Sequence, residues 1–217
     1  MKLLKKVTKA KKEFHWSGMH PLFYDPFISF FIPSDLGDKV IADVGCGKGI
    51  NAYIAQSTKY IKGATFIGID TNADNLDFCK KHRIYDKNIS KKIPPIPLKD
   101  KSVDLLLCTE VIEHLSQKKG LELLNEIDRV CKGRAIVSTP NIFYPNPPNE
   151  EEDKHLSLWT AKDFHKMGYK VHGLGLKVPL VNTDSFYLLK QGLYYALTPV
   201  SYIFPKISGF LLCYKDY

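Results

Sequence analysis

The chain has 217 residues, of which 44% are hydrophobic and 25% charged, and its formal net charge is +8. This composition argues against a disordered or fibrous chain and predicts one globular unit with a buried core. The first twelve residues carry six lysines and no apolar segment, so we expect no secretory signal peptide. The five cysteines show no CxxC spacing, which predicts a cytoplasmic protein without a disulfide framework or zinc site.

Short β-branched runs alternate with helix-like segments, which is typical of a mostly parallel α/β sheet covered by helices on both faces. The predicted elements, in chain order, are strand 39–44, helix 50–60, strand 64–70, helix 72–82, strand 103–109, helix 117–130 and strand 134–139. The proline-rich segment between 82 and 103 leaves room for at most one weak strand. A last strand, 207–214, is predicted to be antiparallel and to pair with the edge of the sheet.

We divide the chain into a basic, helical N-terminal extension, residues 1–36, and one domain, residues 37–217. Within that domain, residues 140–158 should form a long loop over the strand ends, because 141–153 holds three prolines, three asparagines and four acids. Residues 185–198 should form an apolar helix at the mouth of the site. The prolines that follow exclude a transmembrane span. This helix either makes peripheral membrane contact or packs on the sheet as an ordinary crossover.

The segment VIADVGCGKG, residues 40–49, places three glycines within five positions directly after the first strand. A phosphate-binding loop would need Ser or Thr after the Gly-Lys pair, and a dinucleotide fingerprint would need glycine where Ile50 stands. Asp43 precedes the first glycine by two residues, where it would repel a pyrophosphate and attract an ammonium group. The loop therefore favours a cationic small molecule lying against bare backbone.

A second acid, Asp70, ends the second strand, where its oxygens can accept hydrogen bonds from two ribose hydroxyls. Adenosine with a cationic tail is the ligand that the two acids imply. Here the sequence resembles the class I S-adenosylmethionine-dependent methyltransferases, through DVGCGKG, GIDTN and PIPLKDKSVDLLLCTEVIEHL. The resemblance covers about 40–176. It implies S-adenosylmethionine as cofactor and a Rossmann-like sheet of seven strands, the last antiparallel.

The resemblance also implies which residues bind the cofactor. They are Asp43, Gly45, Cys46, Gly47, Asp70, Thr71, Ile93 and Thr109. Members of the family often hold the adenine amino group with an acid near the end of the third strand, but Lys92 stands there in this chain. Backbone groups near Ile93, or the carboxylate of Asp86, would have to replace that acid.

The segment EVIEH, residues 110–114, follows the fourth strand. If it begins a helical turn, Glu110, Glu113 and His114 share one face. It resembles the ExxEH segments of ubiquinone-pathway O-methyltransferases and of small-RNA 3′-terminal 2′-O-methyltransferases, and His155 in DKHLSLWT resembles the last histidine of the RNA enzymes. The resemblance implies His114 and Glu110 as catalytic groups, and Glu110, Glu113, His114 and His155 as ligands of Mg²⁺, Mn²⁺ or iron(II). Alternatively, these residues only bind substrate or brace the loop.

Three functions remain open at this point. The first, which we favour, is O-methylation of a small or lipid-like acceptor. The second is metal-dependent methylation of a terminal RNA ribose, since the lysines that give the charge of +8 could hold RNA phosphates; they could equally hold anionic lipid head groups or form a solvated face. The third is a non-catalytic adenosylmethionine-binding regulator, suggested by the missing acid on the adenine side.

Overall fold

A seven-stranded sheet forms the centre of the protein. The computed structural model describes residues 27–142, 154–177, 189, 192–193 and 196–217. The strands are β1 (Val40–Val44), β2 (Thr65–Asp70), β3 (Lys87–Ser90), β4 (Val103–Thr109), β5 (Cys131–Pro140), β6 (Lys170–Leu176) and β7 (Ser208–Asp216). Their spatial order is β3-β2-β1-β4-β5-β7-β6. Only β7 runs against its neighbours in this sheet. The predicted Rossmann-like fold is confirmed.

Helices pack on both faces of the sheet. They are α1 (Ile50–Thr58), α2 (Ala73–Lys81), α3 (Gln117–Val130), α4 (Ala161–Lys166) and α5 (Thr198–Ile203), with 3₁₀ turns at Ile112–His114 and Pro205–Ile207. Helix α3 has the predicted bounds. Ser116 caps its first turn by accepting a hydrogen bond from the Lys119 backbone N–H, and its buried positions recur at intervals of three and four, as one helix face against a sheet requires.

Strand β4 shows why its sequence is a continuous apolar run. Successive side chains of a strand point to opposite faces. Leu106 and Cys108 accordingly belong to one buried cluster, and Leu105 and Leu107 to the other. A central strand covered on both faces has no solvent-facing position, so it does not alternate between apolar and polar residues.

The position of β7 differs from the prediction. The strand is antiparallel, as expected, but it pairs with β5 on one side and β6 on the other, so β6 is the edge strand. Four successive residues of β7, Phe210 to Cys213, are buried. Strand β6 carries an exposed Lys170 and a half-buried His172, which suit an edge better.

The structure also describes the end of the predicted N-terminal extension. Residues 27–31 are helical, and Ile28, Ile32 and Leu36 are buried in the same cluster as Ile41 of β1. These residues therefore pack against the sheet of the domain that follows. Residues 1–26 of the extension lie outside the described residues.

The two covering segments are described only in part. Residues 143–153 of the predicted loop lie outside the described residues. Of the predicted apolar helix, residues 189, 192, 193 and 196 are helical, and its remaining residues up to 195 lie outside as well. Within the described part of the chain, no helix combines the length and apolarity needed to cross a bilayer.

Candidate active site

The predicted site residues gather at the carboxyl ends of the parallel strands. From β1 the chain adds β2 and β3 on one side of the sheet and then β4 and β5 on the other, so the strand order reverses between β1 and β4. Open α/β sheets bind ligands in the crevice at such a switch point. The glycine loop follows β1, Asp70 ends β2, and Glu110 follows β4. One crevice can therefore contain a ligand that contacts all three.

The glycine loop needs its glycines for two reasons. Gly45, Gly47 and Gly49 all have positive φ angles, between 50° and 78°, a region that favours glycine. A Cβ on Gly45 would also collide with Val111 of the EVIEH segment, whereas a Cβ on Gly47 would meet nothing within 4 Å. The loop thus packs tightly at Gly45 and leaves open space beside the Gly47 backbone, where a ligand could lie.

Asp70 joins the glycine loop to β2. Its Oδ2 accepts a hydrogen bond from the Gly47 backbone N–H at 2.7 Å, and its Oδ1 accepts one from the Asn72 N–H at 2.8 Å. Each carboxylate oxygen has a second lone pair, so both can still accept a hydrogen bond from a ligand hydroxyl. Thr71, the next residue, is exposed at the same edge.

Only one of the two carboxylate oxygens of the buried Asp43 has a hydrogen-bond partner among the described residues. Its Oδ2 accepts a hydrogen bond from the Tyr85 hydroxyl at 2.7 Å, whereas its Oδ1 has no hydrogen-bond partner among the residues described. Burial raises the pKa of Asp43 to about 7, with a smaller contribution from the charge of Asp70, and the Tyr85 hydrogen bond opposes the shift. An unpaired buried carboxylate oxygen is costly, and a ligand ammonium group would satisfy it.

Tyr85 was missed by the sequence analysis. Its ring lies over Gly68 of the GID segment, where any Cβ would come within 2.6 Å of the ring. A glycine inside a buried strand marks such a close approach, so Gly68 was the signal that something packs there. The identity of the residue that packs there could not be read from the spacing.

Asn51, in the first turn of α1, was also missed. Its side-chain amide donates to the Thr109 hydroxyl at 2.7 Å, and its Oδ1 is buried without a partner in the described chain. Asn51 therefore fixes the end of β4 beside the glycine loop.

Cys46, another predicted contact, is buried, and its thiol lies 3.7 Å from the Gly47 carbonyl.

Ile93 lies at the same end of β2 as Asp70, whereas Asp86 lies at the opposite end. The Asp86 carboxylate accepts a hydrogen bond from the Phe66 N–H, at the start of β2 and hence at the opposite end of that strand from Asp70. Ile93 is half-buried against the core, and the Lys91 N–H donates to the Asp70 carbonyl, which places this segment at the correct end. Of the two replacements considered for the missing acid, only the segment around Ile93 lies near the site.

The EVIEH segment forms a 3₁₀ turn only over Ile112–His114, and Glu110 before it has a φ of 55°. Glu113 is buried. Its Oε2 accepts from the Thr139 hydroxyl at 3.1 Å, and its Oε1 has no partner among the described groups. Burial, and then the charge of Glu110, raise the pKa of Glu113 well above its usual value. Glu110 instead accepts from the Ser138 hydroxyl.

Three of the four predicted metal ligands come together. Glu113, His114 and His155 each place one ligand atom within 4.8 Å of the other two, and the two imidazole rings are 5.0 Å apart. Glu110 lies outside this group. We refer to Glu113, His114 and His155 as the Glu-His-His cluster. A free buried carboxylate oxygen beside two imidazoles is a donor set that fits a divalent ion.

The DKHLSLWT segment is held against the 3₁₀ turn by backbone hydrogen bonds. The Leu156 and Ser157 N–H groups both donate to the Glu113 carbonyl, and His114 Nδ1 donates to the Lys154 carbonyl at 3.2 Å. Trp159 is fully buried and packs directly on Gly120 of α3, where a Cβ would collide with its ring. These contacts bring His155 to His114 from 41 residues away in the sequence.

Sequence comparisons agree with this geometry. Residues 42–138 match the methyltransferase domain family. The chain is 32% identical to a ubiquinone biosynthesis O-methyltransferase of Rickettsia bellii over 113 residues, which is 50% of this chain and 45% of that protein. It is 31% identical to a fatty-acid O-methyltransferase of Mycolicibacterium smegmatis over 102 residues, 46% of this chain and 35% of that protein. The chain spans about half the length, or less, of the curated relatives it matches.

The fold comparison covers nearly the whole chain. A solved structure of an S-adenosylmethionine-dependent methyltransferase from Archaeoglobus fulgidus superposes with a TM-score of 0.61, over 97% of this chain and 99% of that one. The sequence identity is 16%, so this likeness concerns the fold. Residues 42–138, which include the glycine loop and Asp70, therefore match the methyltransferase domain family, and nearly the whole chain has the fold of a solved S-adenosylmethionine-dependent methyltransferase.

Proposed function

We propose that the protein transfers the methyl group of S-adenosylmethionine to an oxygen atom of a small or lipid-like acceptor. The observation that carries this proposal is the position of the EVIEH segment, which bears His114, follows β4 and packs through Val111 against Gly45 of the glycine loop. Both relatives described above are named as O-methyltransferases. The five cysteines are free and buried, which supports a reducing, cytoplasmic location.

The cofactor would occupy the crevice along the glycine loop. Its ammonium group would pair with Asp43 Oδ1, its ribose hydroxyls would donate to Asp70, and its adenine would lie against the backbone near Ile93. The open space at Gly47 supports this placement, since a Cβ built on that glycine meets nothing within 4 Å. Thr109, held by Asn51, would border the sulfonium end.

The chemistry requires a proton acceptor if the acceptor is a hydroxyl. The acceptor oxygen attacks the methyl carbon as the carbon–sulfur bond breaks, and the hydroxyl proton must leave to a base. A carbonyl oxygen only accepts hydrogen bonds, so the His114 contact to Lys154 places the proton on Nδ1 and leaves the Nε2 lone pair available. We assign Nε2 as the base, and Glu110, held by Ser138, as the group that orients the acceptor.

Transfer of a labelled methyl group to a panel of acceptors tests this proposal. We expect product with phenolic, isoprenoid or fatty-acid acceptors, because each offers an oxygen nucleophile on an apolar body. A short RNA with a free 3′ end belongs in the same panel. Background transfer to every acceptor by protein that still binds S-adenosylhomocysteine would contradict the proposal.

A second candidate is metal-dependent methylation, in which an RNA terminal ribose would be the leading acceptor. The Glu-His-His cluster favours it, because Glu113 Oε1 is buried without a hydrogen-bond partner among the described residues. A bound Mg²⁺ or Mn²⁺ would lower the pKa of an acceptor hydroxyl. Glu113, His114 and His155 would hold the ion, and the Lys154 carbonyl would fix the orientation of the His114 ring.

Titration of Mn²⁺ into the protein saturated with S-adenosylhomocysteine distinguishes the two candidates. If the cluster binds metal, calorimetry should show one site that Glu113→Gln and His155→Ala weaken by more than about tenfold. His165→Gln is the matched control, because His165 lies in α4 and outside the cluster. A wild-type protein that binds no Mn²⁺, shown by calorimetry at two temperatures, would exclude the metal-dependent candidate and leave His114 as the base.

A further inference from the structure

An exposed apolar surface lies on α5 and the 3₁₀ turn that follows it. Its four side chains are between 40% and 68% exposed. They are Val200, Ile203, Phe204 and Ile207. We refer to these four residues as the C-terminal apolar surface. Scattered exposed apolar residues are normal, but a contiguous group of this kind usually marks an interaction site.

The opposite face of α5 is fixed, so this surface cannot turn inward. Ser201 is fully buried, and its carbonyl lies so close to Gly173 of β6 that a Cβ on that glycine would collide with it. The ring of Tyr202 stacks on His172 with centroids 4.3 Å apart. The helix backbone therefore rests directly on the sheet, and Ile203 and Phe204 stay on the outside.

The surface lies at the same edge of the sheet as the candidate active site. Asn141 directly follows β5 at its carboxyl end, and its side-chain amide donates to the Pro205 and Ser208 carbonyls at 2.9 and 3.0 Å. Strand β5 is the neighbour of β4, which ends at the EVIEH segment. A partner seated on the C-terminal apolar surface would therefore lie at the same end of the strands as the candidate active site.

The charge around the surface indicates the chemistry of that partner. Lys177 and Lys206 are both exposed, and the Lys177 N–H donates to the Ile207 carbonyl at 2.7 Å. The described residues from 196 to 215 include no Asp or Glu. Exposed apolar side chains beside two exposed cations complement the interface of an anionic lipid bilayer.

We propose that the C-terminal apolar surface docks the protein on an anionic lipid bilayer and so presents the active-site edge to membrane-dissolved acceptors. Ile203 and Phe204 insert among the acyl chains, and Lys177 and Lys206 contact the lipid phosphates. This inference rests on the proposed function in one respect, since it assigns the lipid-like acceptor to the membrane. The docking itself requires no methyl transfer.

Co-sedimentation with vesicles tests the docking. Wild-type protein should bind vesicles of phosphatidylcholine mixed with phosphatidylglycerol, and the pair Ile203→Glu and Phe204→Glu should bind at least tenfold more weakly. The matched control replaces Tyr53 and Leu121, exposed apolar residues of α1 and α3, by glutamate and should bind like wild type. Lys177→Gln and Lys206→Gln should each weaken binding by about fivefold, and phosphatidylcholine alone should bind less well.

Several results would overturn the proposal. Absence of binding to anionic vesicles would do so, as would equal binding by the Ile203 and Phe204 variant, which would assign the attraction to lysines elsewhere. A wild-type dimer in light scattering that the same variant abolishes would assign the surface to a second copy of the chain. Retained affinity for S-adenosylhomocysteine shows that each variant is folded. Vesicle binding without transfer to any acceptor would reject the proposed function alone.

Discussion

His114→Gln is expected to lower kcat for hydroxyl acceptors by roughly 10²- to 10⁴-fold, the usual contribution of a general base. Glutamine can still donate to the Lys154 carbonyl that His114 Nδ1 contacts, so the DKHLSLWT segment should stay in place. Its side chain has no basic nitrogen to take the acceptor proton. Steady-state kinetics at saturating S-adenosylmethionine measure the loss.

The control for this variant is His165→Gln. His165 also places Nδ1 against a backbone carbonyl, that of Tyr169, but it lies in α4, outside the Glu-His-His cluster. Its replacement should leave kcat within about twofold, and both variants should bind S-adenosylhomocysteine like wild type. A His114→Gln enzyme that kept more than a tenth of the wild-type kcat would refute the assignment of Nε2 as the base.

Affinity for S-adenosylhomocysteine is expected to rise about tenfold between pH 6 and pH 8 because of Asp43. Its pKa is raised to about 7, so the acid is mostly protonated at pH 6 and mostly ionised at pH 8, and only the carboxylate forms an ion pair with the ligand ammonium. Asp43→Asn should lower the affinity at pH 8 by roughly 10- to 100-fold and remove this pH dependence. Calorimetric titration at three pH values measures both effects.

The free energy of unfolding of the cofactor-free protein should fall as the pH rises, whereas the affinity for S-adenosylhomocysteine rises. The folded pKa of Asp43 lies above the unfolded value, so the folded state holds a proton that the unfolded state has lost. Asp43 therefore makes the free protein less stable as pH rises from about 4 to 7, and saturating cofactor should cancel this loss. Asp77→Asn, at an exposed acid of α2, is the control. An affinity that did not change with pH would show that Asp43 does not face the ammonium group.

The central strands and helices were predictable because their signals are local. The apolar run of β4 and the three- and four-residue spacing of α3 follow from which faces are buried, and both elements have the predicted bounds. The positive φ angles of Gly45 and Gly47 are likewise a property of the loop itself. These features depend on neighbours within a few residues.

The sequence alone determined the order of the elements up to β5, the three motifs and the cofactor class, because each depends on local backbone geometry or on a residue pattern within one segment. Tertiary structure decided which side chains are buried and which distant segments lie side by side. The burial of Asp43 under Tyr85, the position of β7 between β5 and β6, and the separation of Glu110 from the Glu-His-His cluster all depend on contacts between distant segments. Packing chooses among several arrangements compatible with the same spacing, and that choice is made by the whole core rather than by any one segment.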